Sequence, residues 1–229
     1  MSKHRAEFAA SVCPTRYSST LIRRRSAAIV GLLALVAAPQ VAQASGQFSP
    51  QLEHTIQKAS DVHGVPPSIL RAFAAIESGG KPSARKGSYF GVYQLSHSEF
   101  RKYGGRGNIF DLSENTQVAA RKLRSEADAF AQQHGREPTA AELYMQHQQG
   151  IGGAAMHMAN PDAPAWQNMH RTSEGQKKGP AWARLAIWGN IPQDQRAQFP
   201  DGVDGVTSRQ FMELWDRKLA RFGANQSSS

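Results

Sequence analysis

Cysteine is almost missing from this chain of 229 residues, and the single one is Cys13. A long hydrophobic run is missing as well. The uncharged apolar stretch Ala27 to Ala38 is well short of the roughly 20 residues that a bilayer-spanning helix needs, which argues against a membrane anchor. Arg23, Arg24 and Arg25 precede it, and the small-x-small site Ala42-Gln43-Ala44 follows. Basic, then apolar, then small is the order of a secretory signal peptide with a long basic region, so residues 1–44 are expected to be cleaved after Ala44 and the remainder exported to the periplasm. Cleavage removes Cys13, leaving no disulfide, no thiolate nucleophile and no cysteine ligand. It also removes six basic residues and Glu7, which lowers the net charge from +9 to +4. That balance suits a mildly anionic partner such as cell wall. A basic stripe with interleaved aromatics is missing too, which argues against nucleic acid. No repeat and no long linker divides residues 45–229, and their number is enough for one core of ordinary size.

What is there reads as helices. In "SPQLEHTIQKASDVHG", Ser49 is placed to cap, Pro50 opens the first turn, Leu52, Ile56 and Ala59 share a face, and Gly64 ends the segment. "PPSILRAFAAIESGG" follows, opened by Pro66 or Pro67 and closed by Gly79 or Gly80. "KPSARKGSYFGVYQLS" reads as a loop with a short strand or hairpin. A long helix is expected from a Ser113 cap to Gly135, and another from Thr139, where Glu142 completes a capping box. Residues 171–207 look less regular, with one short helix in "GPAWARLAIWGNIP", and "TSRQFMELWDRKLARFG" is amphipathic before a tail expected to be disordered from about Ala224. The fold class expected is mainly α, a single globular domain (residues 45–170) with a short hairpin or loop in its cleft and a helical extension (171–229) packed on it.

One residue stands out against this pattern. Leu70, Phe73, Ala74 and Glu77 occupy positions i, i+3, i+4 and i+7 of one helix, so Glu77 falls on the apolar stripe. Desolvation there and the negative end of the helix dipole both push its pKa up. A carboxyl group kept protonated near neutral pH is what a general acid needs. The competing reading is a glutamate rolled to the rim and inert. Two more polar groupings follow. "YFGVYQL" sets Tyr89, Tyr93 and Gln94 around Gly91, where an amide can pair with sugar hydroxyls and phenol rings can stack on sugars. "ELYMQHQQGIGG" puts Tyr144, His147 and Gln148 on one helix face ahead of a glycine-rich turn. That face is polar and aromatic, which favours a cleft over a core. The methionines and histidines from Met145 to His170 raise a copper-binding alternative, but they follow no tight ligand spacing and methionine is good core filler.

Taken together, "IESGG", "GVYQL" and "MQHQQGIGG" resemble the three motifs of soluble (SLT-type) lytic transglycosylases, with the goose-lysozyme-like fold. The resemblance covers roughly residues 52 to 160. It implies Glu77 as the catalytic acid, Ser78 beside it, and Tyr93 and Gln94 at the second motif with two central substitutions. At the third motif His147 stands where the family has tyrosine and Gln148 where it has asparagine, and Tyr144 lies one turn earlier. The implied reaction is cleavage of the β-1,4 bond between N-acetylmuramic acid and N-acetylglucosamine with a 1,6-anhydro product. It needs no cofactor and no metal, and the protein is expected to be monomeric. Domains of this type serve wall turnover, a secretion or pilus assembly, or phage lysis. A lysozyme-type hydrolase and a non-catalytic glycan-binding module remain as alternatives. The hydrolase would need a second carboxylate, for which Glu99, Asp111, Glu114 and Glu142 are the candidates.

Overall fold

The computed structural model describes residues 48–224. The signal peptide expected over 1–44 and the tail after Ala224 lie outside the described residues. Ala224 itself is buried, and its N–H donates to Leu219 O at 3.2 Å.

Helix α1 (Pro50–His63) starts where the Ser49 side chain accepts from the Leu52 N–H, and stops at Gly64 in the left-handed conformation. Helix α2 (Pro67–Ser78) is opened by proline and closed by left-handed Gly79. A two-stranded hairpin follows, β1 (Arg85–Lys86) against β2 (Tyr89–Phe90), antiparallel with Lys86 opposite Tyr89. Then come α3 (His97–Lys102), α4 (Leu112–His134) and α5 (Ala140–Ala159), the last broken at Gly150 (φ 73°, ψ 164°). Short helices α6 (Ala165–Arg171), α7 (Ser173–Lys178) and α8 (Pro180–Trp188) lead through two 3-10 turns (Gln193–Gln198 and Gly202–Gly205) to α9 (Ser208–Arg221). Helix α1 packs on α4 and α2, α4 on α5, and α5 on α9. Their shared core holds Leu52, Ile56, Phe73, Leu123, Met145, Phe211 and Leu214. The expected class therefore holds: a mainly helical single domain with a small hairpin.

Two local expectations change. The cap of α4 is Asp111, not Ser113: Asp111 is extended and its Oδ1 accepts from the Glu114 N–H at 2.7 Å. Both residue types cap well, but Asp111 also sets a negative charge at the positive end of the helix, and Ser113 falls inside the first turn. The stretch read as irregular contains α7 as well as α8, because the Thr172 side chain accepts from the Gly175 N–H at 2.9 Å and starts a helix there.

The junction of α5, α6 and α9 is held by buried polar groups. Asn168 Nδ2 donates to Ser208 Oγ at 2.9 Å, and the Ser208 hydroxyl shares a hydrogen bond with His157 Nδ1 at 2.7 Å. His157 is fully buried and neutral in this arrangement. Burial lowers its pKa to about 4, below the ordinary imidazole value. The folded pKa is thus below the unfolded one. The unfolded chain takes up a proton first as pH falls, so stability present above about pH 6.5 is lost towards pH 4, by up to on the order of 3 kcal/mol. His157→Gln is expected to flatten this part of the pH–stability curve, read as urea midpoints from pH 7.5 to 4.5. Equal slopes in both proteins would refute the assignment.

Candidate active site

The last turn of α2 continues its buried stripe. Leu70, Phe73 and Ala74 are buried, and Glu77, next on that face, keeps only 15% of its side chain exposed. Left-handed Gly79 and Gly80 then turn the chain away, and a side chain at Gly80 would run into Phe48 and Leu52. Ser78 faces the other way. Its hydroxyl donates to Val92 O at 2.8 Å and accepts from the Lys81 N–H at 3.1 Å, which ties the end of α2 to the loop after β2.

Helix α5 meets Glu77 across the core. Tyr144 Oη donates to Glu77 Oε1 at 3.1 Å, and His147 Nε2 stands 3.7 Å from the same oxygen. The Phe73 ring supports both partners edge-on, at 5.0 Å from Tyr144 and 5.3 Å from His147. Trp215 of α9 packs on the other side of Tyr144 at 4.8 Å. The hydroxyl that reaches the glutamate therefore belongs to Tyr144, one turn before the position where the family motif sets its tyrosine.

His147 is oriented from behind by α4. Lys122 is only 3% exposed. Its ammonium lies 2.9 Å from Glu126, 3.7 Å from Glu99 and 2.7 Å from His147 Nδ1. An ammonium can only donate, so Nδ1 accepts and the ring proton sits on Nε2, the nitrogen that faces Glu77. Glu99 also accepts from the Ser96 hydroxyl and backbone N–H in a capping box. Of the acids considered as second carboxylates, Asp111 and Glu114 serve the start of α4, Glu142 is held by Arg136 and Thr139, and none of these lines the cleft.

The cleft in front of Glu77 measures about 400 Å³. Glu77, Gln94, Tyr144, His147 and Gln148 all line it. Two expected site residues do not. Ser78 acts on the protein's own backbone, and Tyr93 is a core residue, 1% exposed, with its phenol pKa raised by burial. Gln94 lines the cleft while its neighbour Tyr93 packs inward, and Tyr89 of the hairpin is the tyrosine that lines the cleft. Gln94 is held hard. It is the one non-glycine at positive φ (46°) among the described residues, and its Nε2 donates to Gly91 O at 2.8 Å and Ala84 O at 3.2 Å. That commits its donors and leaves the amide oxygen for a ligand. Buried Asn115 of α4 fixes the loop. Its Oδ1 accepts from the Tyr93 N–H, its Nδ2 donates to Phe90 O and Ile109 O, and it packs so closely on Gly91 that a side chain there would collide.

The far wall comes from the C-terminal third. Gly189 to Gln193, Arg196, Trp215 and Lys218 line it, with Lys86 of β1 at the rim. Arg196 donates to Trp188 O at 2.9 Å and Ile191 O at 3.1 Å, and so holds this wall in shape. Lys86 and Lys218 both have lowered pKa values, chiefly from burial, and the Glu77 charge pulls each of them back up. Sequence reasoning missed Lys122, Asn115 and this wall. The signal for Asn115 was a lone amide on the apolar side of α4.

Residues 54–144 match the family model described as "Transglycosylase SLT domain". The match ends at Tyr144, so His147, Gln148 and the far wall lie beyond it. No curated protein matches the sequence. At the level of the family, the match supports a transglycosylase-type function that acts on peptidoglycan.

Proposed function

Since residues 54–144 match the family model of a transglycosylase SLT domain, of the lysozyme-like superfamily, we propose that the protein is exported and cleaves the β-1,4 bond between N-acetylmuramic acid and N-acetylglucosamine in peptidoglycan, releasing a 1,6-anhydromuramoyl end. One observation carries the choice of reaction. Among the described residues that line the cleft, Glu77 is the only carboxylate. Glu99 and Glu126 lie behind His147, gathered on Lys122.

A hydrolase with two carboxylates divides the work between an acid and a base or nucleophile. One carboxylate suffices when the nucleophile belongs to the substrate. Glu77 protonates the glycosidic oxygen as the bond to C1 breaks. Its carboxylate then takes the proton of the muramoyl C6 hydroxyl as O6 bonds to C1. No water enters, and the acid form is regenerated. Tyr144 Oη–H, aimed at Oε1, stabilises the carboxylate between the two steps. Gln94, Gln148 and Tyr89 supply the polar and aromatic surface against which sugar rings can be held.

Digestion of purified sacculi followed by mass spectrometry tests the reaction. Muropeptides lacking one water relative to the reducing form are expected. Reducing-end muramic acid would overturn the reading in favour of a muramidase.

A further inference from the structure

The far wall gives the cleft a charge that glycan cleavage alone does not require. Lys86 and Lys218 come from elements distant in sequence, the hairpin and α9, yet both line the cleft that Glu77 faces. Lys218 is partly buried on α9 and Lys86 is exposed on the hairpin, and each feels the Glu77 charge. Lys218 also feels Asp194, Arg221 and Lys86 itself. Its ammonium lies over the Trp215 ring at 4.7 Å, Trp215 packs on Tyr144, and Tyr144 donates to Glu77. An unbroken stack therefore joins Lys218 to the proposed acid.

We propose that Lys86 and Lys218 form an anion subsite that takes a carboxylate of the substrate, so that the C-terminal extension selects acidic, carboxylate-bearing glycan over neutral glycan. Two cations that line one cleft raise the cost of keeping both charged. Glu77 offsets that cost while it is ionised. Glu77 works as an acid only when protonated, and protonation removes the negative charge that both lysines face. A substrate carboxylate restores it. Binding of the anion and readiness of the acid therefore favour each other. The proposal rests on the glycan-strand reading given above, but not on the anhydro product.

Two substrate groups offer this chemistry: the lactyl carboxylate of muramic acid freed of its peptide, and the carboxylates of an attached peptide stem. Binding is measured in Glu77→Gln protein, so that the ligand is not cut, with and without Lys218→Gln. The probes are three muramoyl tetrasaccharides: with peptide stems, without stems but with lactyl carboxylates, and with all carboxylates amidated. Glu77→Gln protein is expected to bind a carboxylate-bearing probe about tenfold tighter than the amidated one, with the difference shrinking in high salt. Lys218→Gln should erase that difference and leave the amidated probe's affinity unchanged. Preference for the stem-bearing probe alone identifies the peptide as the source, preference for the stem-free acidic probe alone identifies the lactyl group, and equal preference for both shows that the subsite takes either carboxylate. The proposal is overturned if Lys218→Gln weakens all three probes alike, or none. Because the readout is binding, a failed product assay with an intact charge preference would sink the reaction and keep the subsite.

Discussion

Glu77→Gln is expected to lower the release of muropeptides from sacculi by about a thousandfold or more. General acid or base catalysis contributes about 10²–10⁴ to a rate, and here one group serves in both steps. Glutamine has the same shape, and its amide oxygen still accepts from Tyr144 Oη, now 3.1 Å from Glu77 Oε1. It has no proton to give to the leaving oxygen and no basic oxygen to take one from C6. The fold has no reason to respond, because the packing of Phe73, Tyr144 and His147 around this position is unchanged. A urea midpoint close to the parent's, together with lost turnover, is the expected pair of results. Activity retained in a folded Glu77→Gln protein would mean that another group is the acid. The nearest other carboxylates, Glu99 and Glu126, would have to leave Lys122 to reach the cleft.

The position of Glu77 was readable in the sequence because it depends on helix periodicity alone. Proline at one end and glycine at the other fix the helix, and the spacing from Leu70 fixes the face. The face shared by Tyr144, His147 and Gln148 was readable on the same ground. Which of them reaches the glutamate was not, since that depends on how α5 sits on α2. Which tyrosine of the loop region lines the cleft was not readable for a related reason. The loop's course depends on Gln94 adopting a positive φ, which is uncommon outside glycine. Without that, Tyr89 and Tyr93 look like equal candidates. In sequence, Lys122 and Glu126 are an i, i+4 pair such as any exposed helix face can carry, and Lys218 is one cation of an amphipathic helix. What makes both matter is a second element laid over them, and local sequence carries no record of it.

Lys122 should therefore show the second large effect, first on stability. Lys122→Met keeps most of the side chain's volume but leaves Glu99 and Glu126 facing each other without the ammonium that holds them. Removing one partner of a buried ion pair costs about 3–5 kcal/mol, enough to lower the melting temperature of a domain this size by roughly 10 °C. Activity should fall as well, even at temperatures where the variant is folded. With the lysine gone, Glu126 Oε2, 3.9 Å from His147 Nδ1, becomes the acceptor for an Nδ1 proton. The imidazole then turns a lone pair on Nε2 towards Glu77 in place of an N–H. Pairing Lys122→Met with Glu126→Leu separates the two effects. The second substitution removes an uncompensated charge, so part of the lost stability should return. It does not restore an ammonium donor to Nδ1, so turnover should stay low. Thermal melts and sacculus digestion on the same preparations read both. A Lys122→Met protein as stable as its parent would show that the cluster carries no buried charge. Full recovery of turnover in the double variant would show that Lys122 supports the fold without orienting His147.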